Sequence, residues 1–135
     1  MDTLEFRTKH KYSSSASGIE VEVGLNLGPD QPIRLLAKID TGASFCIFQR
    51  DYAEHMGIEV ESGVPLRIGT ATGGFDAFGH TVILSCFDWT FETTVYFAEP
   101  REFNRNVLGR QGWLENFRMA IIDHDSLLYL SKYDD

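Results

Sequence analysis

Residues 19–27 alternate without a break: Ile19, Val21, Val23, Leu25 and Leu27 are apolar, while Glu20, Glu22, Gly24 and Asn26 are not. A period of two marks a half-buried strand, because successive side chains of a strand point to opposite faces of its sheet. The rhythm returns in Trp89, Phe91, Thr93, Val95 and Phe97. Further apolar stretches at Ile33 to Ile39, Val64 to Ala71, Asp76 to Leu84, Met119 to Ile122 and Leu127 to Leu130 also read as strands. Turn-formers separate them at Gly28-Pro29-Asp30-Gln31-Pro32, at Thr72-Gly73-Gly74 and at Asp123-His124-Asp125-Ser126. Two short helices are expected, one over Gln49 to Met56 closed by Gly57 and one over Gln111 to Phe117. Many short strands with frequent turns require an all-β fold, here expected as a closed β-barrel.

At 135 residues the chain is one domain by size, and no internal repeat divides it. The first 18 residues are polar and end in a serine-rich run, so residues 1–18 read as an arm and residues 19–135 as the domain. The net charge of −8 would repel a phosphate backbone, which argues against nucleic acid as a partner. No apolar run approaches the ~20 residues that span a bilayer. The N-terminus Met1-Asp2-Thr3-Leu4-Glu5-Phe6 lacks the layout of a signal peptide, so a cytoplasmic location is the expectation. Cys46 and Cys86 both sit inside apolar runs and read as small buried hydrophobes. His10, His55, His80 and His124 have no metal-ligand spacing, so neither a metal nor another cofactor is expected.

Chemistry concentrates at Asp40-Thr41-Gly42, where the strand Ile33 to Ile39 meets a glycine-containing loop. The tripeptide alone occurs by chance in roughly 3% of chains this long. Its surroundings make it informative. Ala43 and Ser44 follow, then the buried run Phe45 to Phe48; a glycine-rich reversal comes at Gly73-Gly74, and Val107-Leu108-Gly109-Arg110 comes later. These residues in this order resemble the retropepsin family of single-lobed aspartic proteases, over about Ile19 to Leu130.

The resemblance implies an acid-protease fold with a flap hairpin, and an endopeptidase that cuts extended segments between apolar side chains. Asp40 would be the catalytic residue. Thr41, Gly42, Val107, Leu108, Gly109 and Arg110 would support its loop. Ala43 and Ser44, with the flap residues Thr70, Ala71, Thr72, Gly73, Gly74 and Phe75, would contact a peptide or protein substrate. Hydrolysis without a metal or a covalent nucleophile needs two carboxylates sharing one proton, because two adjacent carboxyls cannot both ionise. The chain has only one Asp-Thr-Gly. The second carboxylate must then come from a second copy, so the expected partner is another protomer in a twofold homodimer.

Two positions depart from the pattern of relatives. Ala43 matches retroviral enzymes rather than two-lobed pepsins, and Ser44 stands where retroviral enzymes often place an Asp that pairs with the later arginine. That leaves Arg110 without its acidic partner. The alternative reading is therefore a module that keeps the fold to grip a peptide or to dimerise, with catalysis weak or lost.

Overall fold

The computed structural model describes residues 1–15 and 17–135; Ala16, in the serine-rich run, lies outside the described residues. The alternating segments all form strands: β2 (Glu20–Asn26), β3 (Ile33–Ile39), β5 (Val64–Thr70), β6 (Gly73–Cys86), β7 (Trp89–Ala98), β9 (Phe117–Ile122) and β10 (Leu127–Lys132). Three short ones complete the set, β1 (Thr8–Lys11), β4 (Ile47–Phe48) and β8 (Val107–Leu108), and the one α-helix among the described residues, α1, spans Arg50–His55. Gly57 takes a φ of 79° just past α1, the left-handed backbone that stops a helix.

Seven strands share one sheet in the order β2-β3-β8-β4-β7-β6-β5, and a further pairing of β2 with β6 joins its far members. In place of a uniform closed barrel, six strands form a ring with β5 attached outside it. A separate sheet runs β1-β10-β9. The ring is uneven because β4 and β8 are two residues long, whereas β6 runs for 14 and pairs with β5, β7 and β2 in turn. At the end of β2 that pairs with β6, Gly24 and Asn26 are buried although the alternation puts them outward. A Cβ on Gly24 would stand 2.5 Å from Ser85 Oγ and 3.1 Å from Pro32 Cβ, so glycine lets the strand pack closely there. Asn26 donates from Nδ2 to the carbonyls of Gly28 and Asp30 at 2.9 and 3.2 Å, holding the turn before β3.

One apolar cluster joins Val23, Leu25, Leu84, Phe97 and Leu108 of the ring to Leu128 and Leu130 of the small sheet, with Trp113 fully buried among them. Each such side chain contributes about 1.5–3 kcal/mol by leaving water. Cys46 and Cys86 are free and buried in the same cluster.

Two expectations need correction. The polar start of the chain carries β1, which pairs antiparallel with β10, Thr8 opposite Leu130 and Lys11 opposite Leu127. Tyr12 then enters the core and donates its hydroxyl to Asp123 at 2.5 Å. The second helix is absent: Leu114–Asn116 make only a single 3-10 turn. Gly112 has a φ of 97°, and a Cβ there would stand 2.8 Å from the Thr94 carbonyl oxygen, so the chain cannot pass through position 112 as a helix.

Candidate active site

Asp40 is the first residue beyond β3, and β8 fixes where it emerges. The two strands run parallel, Lys38 beside Val107 and Ile39 beside Leu108, and the Asp40 N–H continues the ladder to the Leu108 carbonyl at 3.0 Å. The chain then turns tightly. The Ala43 N–H donates to the Asp40 carbonyl at 3.1 Å, and the Gly42 N–H donates to Asp40 Oδ1 at 2.9 Å. A backbone donor on one carboxylate oxygen restrains the side chain, and Oδ2 has no hydrogen bond among the described residues.

After the turn the chain descends on the other side of the same segment. The N–H groups of Arg110 and Gln111 donate to the carbonyls of Ala43 and Ser44, both at 2.9 Å, and Ile47 of β4 pairs antiparallel with Val107. Residues 107–111 therefore pass between the incoming and outgoing arms of the aspartyl loop and bond to both. Gly109 is the tightest point: a Cβ there would overlap the Phe45 carbonyl oxygen and stand 2.9 Å from that of Ala43. Its N–H points to Cys46 Sγ at 3.4 Å. Burial pushes the Cys46 thiol up to about 12, so it stays protonated and is part of the packing rather than a nucleophile.

The sequence-predicted residues separate into three places. Val107, Leu108 and Gly109 are buried beneath the loop, with Arg110 joining through its N–H while the residue itself is exposed. Asp40, Thr41 and Gly42 are exposed on one face. Thr41 Oγ1 makes no hydrogen bond among the described residues. The third place is the β5–β6 hairpin, where Thr70 pairs with Gly73. The reversal itself is Ala71-Thr72, and Gly73 and Gly74 already belong to β6. Gly73 supplies the turn's positive φ of 129°, and a Cβ on Gly74 would meet the Ile68 carbonyl, so both glycines serve the close pairing.

Between loop and hairpin lies an open cleft of about 300 Å3. Asp40, Gly42, Ala43, Ser44, Thr70, Phe75 and Val107 line it, whereas Ala71, Thr72, Gly73 and Gly74 stand outside it at the hairpin end. Ile68 and Gly69 line it too, and sequence reasoning missed Arg67, Phe103 and Arg105, which complete the lining with Phe45 and Ile47. Arg67 is on β5, opposite Asp76 and 3.2 Å from its carboxylate. Phe103 comes from the loop after β7 and touches Phe75, ring centroids 4.9 Å apart. A larger depression of about 700 Å3 surrounds the turn before β3; of its two acids, Glu22 is tied to Arg34 at 3.3 Å and Asp30 lies in the turn itself. Asp40 is not part of it.

The fold has counterparts among solved structures. A retropepsin-like aspartic protease from Rickettsia conorii is 17% identical with a TM-score of 0.65, the match covering 91% of this chain and 98% of that one. The EIAV protease in complex with the inhibitor HBY-793 is 20% identical with a TM-score of 0.54, over 73% of this chain and 86% of that one. The fold is retropepsin-like. No family model and no curated protein matches the sequence. At such low identity the likeness lies in the path of the chain. A retropepsin-like fold therefore holds Asp40 at the strand end, with the β5–β6 hairpin across the cleft from it. Among the described residues no cluster of three or more His, Cys, Asp or Glu is placed to hold a metal, and no helix is long and apolar enough to cross a membrane.

Proposed function

We propose that the protein is an aspartic endopeptidase whose active centre forms between two copies of the chain. The observation that carries this reading is that Asp40 is the one carboxylate among the residues lining its cleft, and it sits on an exposed face with Thr41 and Gly42. Each copy holds its loop rigidly through residues 107–111 but supplies only half of an acid–base pair. A twofold axis through this face would bring the two Asp40 carboxyls together. One carboxylate then takes a proton from water as the water attacks the peptide carbonyl, and the other, protonated, donates to the carbonyl oxygen. The titration belongs to the pair. Thr41, whose hydroxyl makes no hydrogen bond among the described residues, would bond to the partner loop across the axis.

An extended substrate would lie in the cleft under the β5–β6 hairpin, whose backbone can add to it as another strand would. The hairpin is exposed along most of its length, and it serves as the flap that opens for entry and closes to exclude water. A peptide-gripping module without catalysis is the second reading. It is favoured by Arg110, which forms no ion pair among the described residues.

The test compares solution mass and peptide cleavage, from acid to neutral pH, between the wild type and Asp40→Asn. A dimer whose cleavage disappears in the variant supports the endopeptidase. Cleavage unchanged in the variant, or a strictly monomeric wild type, sinks it; a well-formed dimer that cuts no peptide favours the binding module.

A further inference from the structure

We infer that Arg105 makes the cleft selective for an acidic side chain next to the bond to be cut. The inference rests on the endopeptidase reading above and names its substrate class.

The chain carries 20 acidic and 12 basic residues, yet two arginines, Arg67 and Arg105, line the cleft that holds Asp40. They differ in what occupies them. Arg67 is neutralised by Asp76 at 3.2 Å across the hairpin. Arg105 is exposed and forms no ion pair or side-chain hydrogen bond among the described residues. It also lines the furrow of about 360 Å3 on another flank of Asp40, where Glu20 and Lys38 stand as well. Lys38 there reaches Ser17 Oγ at 3.3 Å, and Glu20 makes no ion pair among the described residues. The one uncommitted guanidinium of the cleft thus borders the catalytic carboxylate on two sides.

The backbone that carries Arg105 is also anchored. Its neighbour Asn106 is fixed from three directions: its carbonyl accepts from the Lys38 N–H at 2.9 Å, its Oδ1 from the Gln49 N–H at 3.2 Å, and its Nδ2 donates to the Leu36 carbonyl at 3.3 Å. The backbone at 105 is thereby anchored to β3 and to the start of α1, so a planar donor fork is presented from a fixed base. Against it stand the apolar walls of Ile47, Ile68 and Phe75. Such a cleft fits an apolar side chain with a carboxylate close by in sequence. The carboxylate would take a two-point hydrogen bond from the guanidinium as the substrate displaces water. In a twofold dimer the second Arg105 offers the same contact on the other side of the bond. An acidic side chain would then accompany the apolar ones expected around the cut.

The experiment digests a proteome-derived peptide library with wild type, Arg105→Gln and Arg34→Gln, and then measures kcat/KM for a Glu/Gln peptide pair built on one cut site. Arg34 is exposed, paired with Glu22 and outside the cleft, so it controls for lost charge. Asp and Glu should be enriched within two positions of the cut, and the Glu peptide should be favoured about 5-fold by wild type and Arg34→Gln. Arg105→Gln should cut both peptides equally. Equal rates in the wild type, or a preference that survives in Arg105→Gln, overturn the selectivity while the endopeptidase stands. If the wild type cuts nothing, the endopeptidase reading fails, and the library is then captured on immobilised Asp40→Asn protein. Capture without enrichment of Asp or Glu, or no capture, overturns the acidic preference too.

Discussion

Gly109 lies directly against Phe45: a Cβ on the glycine would overlap the Phe45 carbonyl oxygen, and the Ala43 carbonyl is 2.9 Å from the same point. Through this contact the segment after β8 threads between the two arms of the aspartyl loop. Rigidity at Asp40 therefore comes from backbone packed on backbone, with Cys46 and Leu108 filling the space beneath.

Because the obstacles at Gly109 are main-chain atoms, no side chain can move aside for a methyl group. Gly109→Ala should lower stability by about 3 kcal/mol, read from denaturant unfolding. Gly69, by contrast, has nothing within 4 Å of a Cβ. Gly69→Ala should change stability by no more than about 0.5 kcal/mol.

Phe75 on the hairpin and Phe103 on the loop after β7 meet with centroids 4.9 Å apart at an interplanar angle of 41°. This contact holds the hairpin toward the Asp40 loop. A double-mutant cycle on Phe75→Ala and Phe103→Ala should give a coupling of about 1 kcal/mol. In hydrogen exchange, Phe103→Ala alone should speed exchange in β5 and the first half of β6 while leaving β2 and β3 unchanged. Uniform exchange across all four strands would contradict a hairpin that opens by itself.

His10 on β1 stacks on Phe87 at 3.7 Å, in the turn between β6 and β7. Burial lowers its pKa below 6.5, with Asp88 offsetting part of the effect. The folded state thus binds its proton less readily than the unfolded chain. The contribution of His10 is complete above 6.5 and is lost as pH falls through the lowered value. Between about pH 7.5 and 5.5, His10→Phe should lose less thermal stability than the wild type, since it keeps the stacking without the titration.

The sequence showed the strands that bury one face, because burial imposes the alternation itself: β2, β3 and β7 stand where Val21, Leu35 and Val95 point inward. It was blind to β1, whose Thr8-Lys9-His10-Lys11 is polar and whose ordering comes from pairing with β10. The second helix failed at Gly112, which has a φ of 97°, has no room for a Cβ beside Thr94, and accepts at its carbonyl from Thr93 Oγ1 at 2.8 Å, a partner remote in sequence. At the site, the residues carried by the aspartyl loop and hairpin were legible as motifs. Phe103 and Arg105 were not, because a loop has no periodicity and Asn106, through contacts remote in sequence, decides where that loop lies.

In the proposed endopeptidase each chain supplies half of one active centre through Asp40. Mixing wild type with Asp40→Asn at fixed total protein, under conditions where subunits exchange, tests it directly. Mixed dimers would hold a single catalytic carboxylate and be inactive, so activity should fall with the square of the wild-type fraction, to about a quarter at equal amounts. A linear fall, to about half, would mean that one chain carries a complete site and would contradict the account.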